Sequence, residues 1–163
     1  MFRNDSISDI KSRKFIVTKK MEKTLAIIKP DGMKHKSEIF RRISLAGLKI
    51  AHQRKDSIKR EIAEKFYINV KVNRGDKIYQ SLIDYMTSGQ VMLLVLQGFN
   101  AVQRLRNITG FTDPERAEKG TIRKDLGTDK MWLADQEQRT TRNIIHSSGS
   151  VEEAQKEIAF FFK

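Results

Sequence analysis

The sequence contains no cysteine, and it has no apolar run long enough to cross a membrane. The absence of thiols excludes a disulfide framework and thiolate chemistry, and it fits a reducing compartment. The longest apolar stretch, at residues 91–96, has the length of a strand and not of a membrane-spanning helix. Because no signal-peptide pattern is present either, the sequence predicts a cytoplasmic protein without a membrane partner.

Acidic residues are scarce relative to basic ones, with 20 Asp and Glu against 32 Lys and Arg. The resulting formal charge of +12 and the sequence pI of about 10.0 predict anionic partners. Nucleotides, nucleic acids and acidic membrane surfaces all satisfy this expectation. With 163 residues, the chain has the length of a single domain with a sizeable core.

Two regions of different composition divide the chain. Residues 1–20 are polar and basic apart from an apolar cluster at 15–17. They are interpreted as a flexible N-terminal extension, with an added strand or arm as the alternative. Met21, a possible internal start, opens the domain predicted for residues 21–163.

Apolar spacing in the domain predicts strands and helices in alternation. The predicted strands lie at 24–28, from 48 onward and at 91–96. The predicted helices lie at 37–47, around 57–67, and at 76–87, 100–110 and 151–161. Ser37 and Asn100 are the expected caps of two of these helices. The strand at 91–96 is apolar throughout, so both of its faces should be covered.

Two polar segments without clear periodicity are predicted as loops. Residues 111–123 contain the turn signal TDP at 112–114, and residues 127–141 contain the single tryptophan, Trp132. Trp132 is expected to anchor the second segment to the body of the protein, unless the whole segment is a surface excursion.

A histidine at the end of an apolar run is the first candidate for chemistry. Residues 142–145 lead to His146, and Ser150 with Glu153 forms a capping box that opens a new helix. The free amides at a helix N-terminus attract phosphate, and imidazole is an uncharged nucleophile near neutral pH. His146 is therefore hypothesised to carry phosphate, although a surface or packing histidine is the commoner use of such a position.

Lys29 is a second candidate, since it stands where a buried strand runs into the turn at residues 30–32. A lysine at the exit of a strand is well placed to meet a ligand at the end of a sheet. By contrast, His35 lies in a charged loop and His52 in an alternating run, and both are interpreted as solvated surface residues.

Three motifs carry a resemblance to a known family: KPDG at 29–32, GTIR at 120–123 and NIIH at 143–146. In this order and at these separations, they are similar to the motifs of nucleoside diphosphate kinases. Further matches extend the resemblance over nearly all of the domain, namely TSG at 87–89, GFN at 98–100, TDP at 112–114 and SVE at 150–152. The resemblance implies a ferredoxin-like α/β (α+β) sandwich, in which helices pack on one face of a four-stranded antiparallel sheet, and a protruding loop near 112–120.

The resemblance also implies a reaction and its partners. The γ-phosphate of a nucleoside triphosphate passes to a histidine and then to a nucleoside diphosphate, in a ping-pong cycle with broad base specificity. Mg2+ bridges the phosphate oxygens. Phosphoryl transfer needs an in-line nucleophile among cations more than it needs proton transfer, which agrees with a histidine surrounded by lysine and arginine. Family members assemble as homo-oligomers, and the same is expected here.

Residue by residue, the motif matches imply catalytic roles for five positions. His146 matches the phosphorylated histidine, and Lys29 matches the lysine that meets the sugar hydroxyl and the transferred phosphate. Glu157 matches the carboxylate that fixes the tautomer of the imidazole. Tyr67 matches the active-site tyrosine, and Ser148 matches the serine beside the histidine.

A partly overlapping set is expected to bind the nucleotide. Arg106, Thr112 and Arg123 match phosphate contacts, and Asn143 matches the ribose contact. Leu82 matches an apolar contact to the base, and such a contact discriminates weakly between bases. The nucleotide-binding set implied by the resemblance is Lys29, Ile78, Leu82, Arg106, Thr112, Arg123 and Asn143.

The chain departs from the family pattern at several points. Ile78 stands where the family has an aromatic residue on the base, and an apparent insertion after Tyr67 leaves open whether Ile78 or Tyr79 meets it. Gly149 replaces a family aspartate, so no protein metal ligand is expected and Mg2+ is held mainly through the nucleotide phosphates. The segment between residues 125 and 142 is longer than usual, and it is expected to affect access to the site or subunit packing.

Two alternatives stay open at this point. A basic nucleic-acid-binding protein would explain the net charge and the basic residues 1–20, and its affinity would fall steeply with salt. A catalytically weakened member of the same fold would result if the longer segment blocked the site.

Overall fold

The computed structural model describes residues 20–163, so the predictions for residues 1–19 lie outside the described part of the chain. In chain order the elements are β1 (Met21–Ile28), α1 (Lys36–Leu45), β2 (Lys49–Asp56), α2 (Arg60–Phe66), α3 (Ile68–Arg74), α4 (Asp76–Thr87), β3 (Val91–Phe99), α5 (Ala101–Thr109), α6 (Ile122–Leu126), α7 (Met131–Gln136), β4 (Ile145–Ser147) and α8 (Val151–Phe161). A 3-10 helix, Pro30–His35, joins β1 to α1. None of the helices within residues 20–163 is long and apolar enough to cross a membrane.

Four strands form one antiparallel sheet in the order β2-β3-β1-β4. Every residue of β1 pairs with β3, so these two strands form the centre of the sheet. β4 is short and pairs with the last residues of β1, which places His146 opposite Ile27. The sheet and its packed helices confirm the predicted ferredoxin-like fold class.

Helices cover both faces of the sheet, because the central strands are apolar on both sides. Leu25 and Leu93 pack on one face against α2, α4 and α8. Ala26 and Leu94 pack on the opposite face against α1 and α5. Residues 91–96 are therefore buried on both sides, as predicted, whereas the expectation that helices pack on one face only is wrong.

The beginnings of two helices differ from the predicted ones. Pro30 fixes φ in the first turn of the 3-10 helix, so the chain coils directly after β1. α1 then begins at Lys36 with His35 at its N-cap position, which puts Ser37 inside the helix, where it does not cap it. Asn100 does occupy the N-cap position of α5, but it is left-handed, with φ of 51°, and makes no side-chain cap hydrogen bond.

Three short helices, α3, α6 and α7, are not predicted by the apolar spacing. They have 7, 5 and 6 residues, too few to show a periodic apolar stripe. α6 starts at a cap on Thr121, whose side chain accepts a hydrogen bond from the Lys124 amide. α7 lies in the segment 127–141. Trp132 is 55% exposed and does not anchor this segment by burial, but its indole N–H donates to the Glu115 carboxylate of the preceding loop at 2.9 Å.

α8 begins as the capping pattern predicts. The Ser150 hydroxyl accepts a hydrogen bond from the Glu153 amide at 3.1 Å, while the Glu153 carboxylate accepts one from the Gly149 amide. The buried face of the helix carries Phe161 and also a carboxylate, that of Glu157. A buried carboxylate costs free energy unless it is hydrogen-bonded. The hydrogen-bond partners of Glu157 are therefore candidates for the functional site.

Candidate active site

A cleft of about 410 Å3 is lined by residues from the ends of β1 and β4, from α3 and α4, and from the loop after α5. Most of the predicted site residues line this cleft, namely Lys29, Tyr67, Ile78, Leu82, Arg106, Thr112, Arg123, Asn143 and His146. The other two, Ser148 and Glu157, are buried behind His146. The fold therefore brings together residues that are far apart in the sequence.

The His146 ring has two different environments at its two nitrogens. Its Nε2 lies 2.9 Å from Oε1 of Glu157, and the side chain is 19% exposed. Because an ionised carboxylate accepts only, Nε2 is assigned the proton and Nδ1 keeps the lone pair. The ring packs edge-to-face with Phe66, with the centroids 5.6 Å apart, which restricts the orientation of the imidazole. The geometry leaves Nδ1 as the nucleophilic nitrogen.

Both oxygens of the Glu157 carboxylate are engaged. The Ser148 hydroxyl donates to Oε2 at 2.6 Å, and that hydroxyl accepts a hydrogen bond from the Leu25 amide at 3.2 Å. Ser148 is fully buried and does not line the cleft, so its contact with His146 passes through Glu157. The serine named from the sequence as catalytic is therefore connected to the imidazole only through the Glu157 carboxylate.

Lys29 is 7% exposed, and its Nζ donates to Oδ1 of Asn143 at 2.7 Å. Asn143 in turn donates from Nδ2 to the Thr112 carbonyl at 2.9 Å, so the lysine, the amide and the loop form one chain of hydrogen bonds. Burial and, to a smaller extent, the charge of Arg123 lower the pKa of Lys29 to about 7, against the opposing effect of the Asp31 carboxylate. An anion bound beside Lys29 would stabilise its charged form.

Arg123 is 8% exposed and donates only to backbone carbonyls within the described residues. Its guanidinium bonds the Gly110 carbonyl at 3.0 Å and the Ile145 carbonyl at 2.7 Å, which joins the loop after α5 to the start of β4. Burial and the neighbouring charge of Arg106 lower the pKa of Arg123 to about 10. These cations repel one another, so this end of the cleft favours a polyanion.

Tyr67 contributes a buried hydroxyl that has no hydrogen-bond partner within the described residues. Burial and the carboxylate of Glu157 raise the pKa of this phenol, so it stays protonated. An unpaired buried hydroxyl costs free energy, and a ligand oxygen in the cleft would remove that cost.

The turn after β1 holds the strand that carries His146. The Lys29 amide donates to the Ile144 carbonyl at 2.9 Å, and Oδ2 of Asp31 accepts from the Ile144 amide at 3.2 Å. Ile144 has φ of 72°, a strained value for a β-branched residue. Tyr85 donates its hydroxyl to the other oxygen of Asp31. Sequence reasoning did not identify Asp31 and Tyr85 individually, although the KPDG motif at 29–32 marks the turn.

Gly32 is required by this close approach. A Cβ at this position would lie 2.4 Å from the Ile144 carbonyl oxygen and 2.9 Å from Cγ2 of Ile28. We expect Gly32→Ala to lower the free energy of unfolding by about 1–3 kcal/mol, because backbone cannot move aside as a flexible side chain can. Urea unfolding curves measure this change. In the control Gly89→Ala, the new Cβ meets Pro30 at an ordinary 3.4 Å, and equal midpoints for the two variants would contradict the expectation.

Part of the cleft lining is apolar. Ile78 and Leu82 of α4 line the cleft, whereas Tyr79 is buried and donates its hydroxyl to the Glu64 carbonyl at 3.0 Å. Of the two neighbours left open by the sequence, Ile78 is thus the one that reaches the cleft. Residues that sequence reasoning missed also line it, namely Val70, Arg74, Met131, Thr140 and Thr141.

The segment 127–141 forms part of the cleft wall and does not fill the cleft. An ion pair between Asp129 and Arg139, at 2.6 Å, joins the beginning of the segment to its end. Oδ1 of the buried Asp113 accepts from the Met131 amide at 3.2 Å, which fixes the segment to the loop beside Thr112. The only signal for this wall in the sequence is the unusual length of the segment.

The polar side chains of the cleft suit an anion better than a cation. Within residues 20–163, no group of three or more His, Cys, Asp or Glu side chains could hold a metal ion. Lys29, Arg106 and Arg123 instead provide positive charge beside His146. A metal ion would therefore have to bring most of its own ligands into this site.

Comparison with known proteins identifies the family. A sequence model of the family described as "Nucleoside diphosphate kinase" matches residues 22–163. The nucleoside diphosphate kinase of a Nitratiruptor species is 42% identical over 144 residues, which cover 87% of this chain and 96% of that protein.

Solved structures agree with the sequence comparison. A transition state mimic of the nucleoside-diphosphate kinase from Borrelia burgdorferi, with bound vanadate and ADP, superimposes with a TM-score of 0.81 at 27% identity and covers 88% of each chain. An NDP kinase from Pyrobaculum aerophilum superimposes with a TM-score of 0.79 at 33% identity, over 88% of this chain and 97% of that one. The chain belongs to the nucleoside diphosphate kinase family, whose members are phosphotransferases.

Proposed function

We propose that His146 carries the phosphoryl group from a nucleoside triphosphate to a nucleoside diphosphate in a ping-pong cycle. The observation that supports this most strongly is the 2.9 Å contact between Nε2 of His146 and Glu157. That contact leaves Nδ1 unprotonated in a cleft that also contains Lys29, Arg106 and Arg123.

In the first half of the cycle, Nδ1 attacks the γ-phosphorus in line. The N–P bond forms while the bond from phosphorus to the β,γ-bridging oxygen breaks, and the diphosphate leaves with that electron pair. In the second half, a terminal oxygen of another diphosphate attacks the same phosphorus and the N–P bond breaks. No general base is needed, because the attacking nitrogen carries no proton, and Glu157 stabilises the positive charge that develops on the ring.

The remaining residues position the nucleotide. Lys29 and Asn143 meet the ribose hydroxyls and the transferred phosphate, and the phosphate contacts come from Arg106, Thr112 and Arg123. The unpaired hydroxyl of Tyr67 donates to an oxygen near His146. The base lies against Ile78 and Leu82, whose apolar side chains discriminate weakly between bases, so the range of substrates is broad.

Mg2+ is proposed to enter the site as part of the nucleotide complex, bound mainly to the phosphate oxygens. This fits a cleft with cationic side chains and with Gly149 at the position where the family has an aspartate. When bound, the ion neutralises charge on the phosphates, and the residues of this chain orient the nucleotide around it.

The role of Glu157 is tested by Glu157→Gln, which keeps the size of the side chain and removes its charge. We expect the rate of His146 phosphorylation to fall about 100-fold, because the imidazolium-like product loses its stabilising carboxylate. Rapid-quench measurement with γ-labelled ATP gives this rate. Glu152→Gln changes an exposed carboxylate on the same helix, and a similar loss in both variants would count against the role.

The ping-pong cycle itself is tested by initial-rate kinetics with varied donor and acceptor. We expect parallel lines in double-reciprocal plots, together with exchange of label between a triphosphate and its own diphosphate when no other acceptor is present. Intersecting lines and the absence of exchange would indicate direct transfer between two bound nucleotides.

The described cleft favours a working enzyme over a weakened one, because the segment 127–141 lines it without filling it. We also propose that the chain forms homo-oligomers. β2 lies at the edge of the sheet. Its Ile50 is 38% exposed and Leu45, at the end of α1, is 73% exposed, and exposed apolar side chains favour contact with a second copy. Nucleic-acid binding and a cytoplasmic location stay predictions from composition.

A further inference from the structure

Arg74 is a further charged residue of the cleft, and it is contributed by α3, a different element from those that contribute Lys29, Arg106 and Arg123. It is the last residue of α3, and it lines the cleft together with Val70, Ile78 and Leu82. Those apolar side chains form the wall assigned above to the base. A guanidinium on this wall adds hydrogen-bond donors to a surface that is otherwise apolar.

Asp135 of α7 holds the guanidinium in place. One terminal nitrogen of Arg74 donates to Oδ1 of Asp135 at 2.7 Å, and the two side chains are 44% and 49% exposed. Beside this pair, Lys77 donates to Gln138 at 2.7 Å, which ties the same segment to α4. A restrained arginine loses less side-chain freedom when it binds a ligand, and four of its five N–H donors are not used by Asp135.

We propose that Arg74 is a specificity-determining residue, which favours bases with a carbonyl acceptor, guanine above all, over adenine. The inference rests on the proposed function, because it requires the base to lie against Ile78 and Leu82. Arginine can only donate hydrogen bonds. Guanine presents two neighbouring acceptors, O6 and N7, whereas adenine presents N7 beside an amino group that itself donates. The apolar wall alone would treat the two purines almost alike.

The proposal is tested by single-turnover phosphorylation of His146 with GTP, ITP or ATP and Mg2+. Hypoxanthine, the base of ITP, shares O6 and N7 with guanine but lacks its 2-amino group. We expect the wild-type chain to prefer GTP and ITP over ATP by roughly 3- to 10-fold in kcat/KM, the value of one or two partly solvated hydrogen bonds. Arg74→Met keeps an unbranched side chain, and it should remove the preference, because GTP and ITP lose the contact to O6 and ATP has no such contact to lose.

Lys77→Met is the matched control, since it removes a neighbouring cation that bonds the same segment but does not line the cleft. This variant should leave the ratios of kcat/KM among GTP, ITP and ATP unchanged. Equal rates with all three nucleotides in the wild type, a preference for GTP that ITP does not share, or an equal loss with all three in Arg74→Met would each overturn the proposal. Failure of the proposed function would look different, since no nucleotide would then phosphorylate wild-type His146.

Discussion

Replacing His146 by alanine is expected to abolish phosphotransfer, with kcat falling by at least about 10⁴-fold. The loss is large because the variant removes the atom that is proposed to form the bond to phosphorus. A coupled assay of diphosphate release and a γ-label incorporation assay both measure the change. The same variant should still bind nucleotide, because Lys29, Arg106, Arg123 and Asn143 are intact.

The matched control is His52→Ala, which removes an exposed histidine that lies on β2 and does not line the cleft. Its activity should stay within about twofold of the wild type, as is usual for a surface substitution. Circular dichroism should show both variants folded. Equal activity of His146→Ala and the wild type would remove the histidine from the mechanism.

Replacing Lys29 by methionine is expected to lower kcat/KM by about 10²- to 10³-fold, because the buried positive charge that is proposed to meet the transferred phosphate is lost. Lys34→Met, an exposed lysine in the adjacent 3-10 helix, serves as the control and should show little change. A loss of the same size in Lys34→Met would show that net charge alone governs the rate.

The pH dependence provides a second readout for Lys29. Because burial lowers its pKa to about 7, the free enzyme carries the ammonium below that pH and loses it as the pH rises. The value of kcat/KM reports groups of the free enzyme, so it should decline above about pH 7, whereas kcat should persist to higher pH because bound phosphate stabilises the charged form.

Comparing Lys29→Met with the wild type across about pH 6 to 9 cancels the titration of the nucleotide itself. In the wild type, kcat/KM should decline above about pH 7, and in the variant this decline should be absent. The same decline of kcat/KM in both proteins would assign the ionisation to a group other than Lys29.

Much of the fold follows from short-range signals in the sequence. Residues 91–96 are apolar throughout, and the structure buries them on both faces. Ser150 caps α8 because its hydroxyl can reach the Glu153 amide, a local interaction that needs no tertiary information. α3, α6 and α7 were not predicted in this way, since their 5 to 7 residues show no periodic apolar stripe, whereas the equally short α2 lies within a helix that was predicted.

The candidate site was predictable where motifs mark it and not where tertiary packing decides it. The KPDG turn at 29–32 pointed to Lys29. By contrast, the choice between Ile78 and Tyr79 depends on which side of α4 faces the core. The apparent insertion after Tyr67 makes the alignment uncertain there, so the sequence did not decide which of the two residues reaches the cleft. Arg74 enters the cleft only because α3 and α7 meet there, and no pattern in the sequence reports that contact.

The central claim is tested most directly by isolating the phosphoenzyme. The wild-type chain is incubated with Mg·ATP alone, freed of nucleotide, and examined by intact mass and by mapping of the phosphorylated peptide under mildly alkaline conditions. The account predicts an acid-labile phosphoryl group on His146, which added GDP removes with the formation of GTP. A folded protein that gains no phosphoryl group, gains it on another residue, or cannot pass it to GDP would contradict the account.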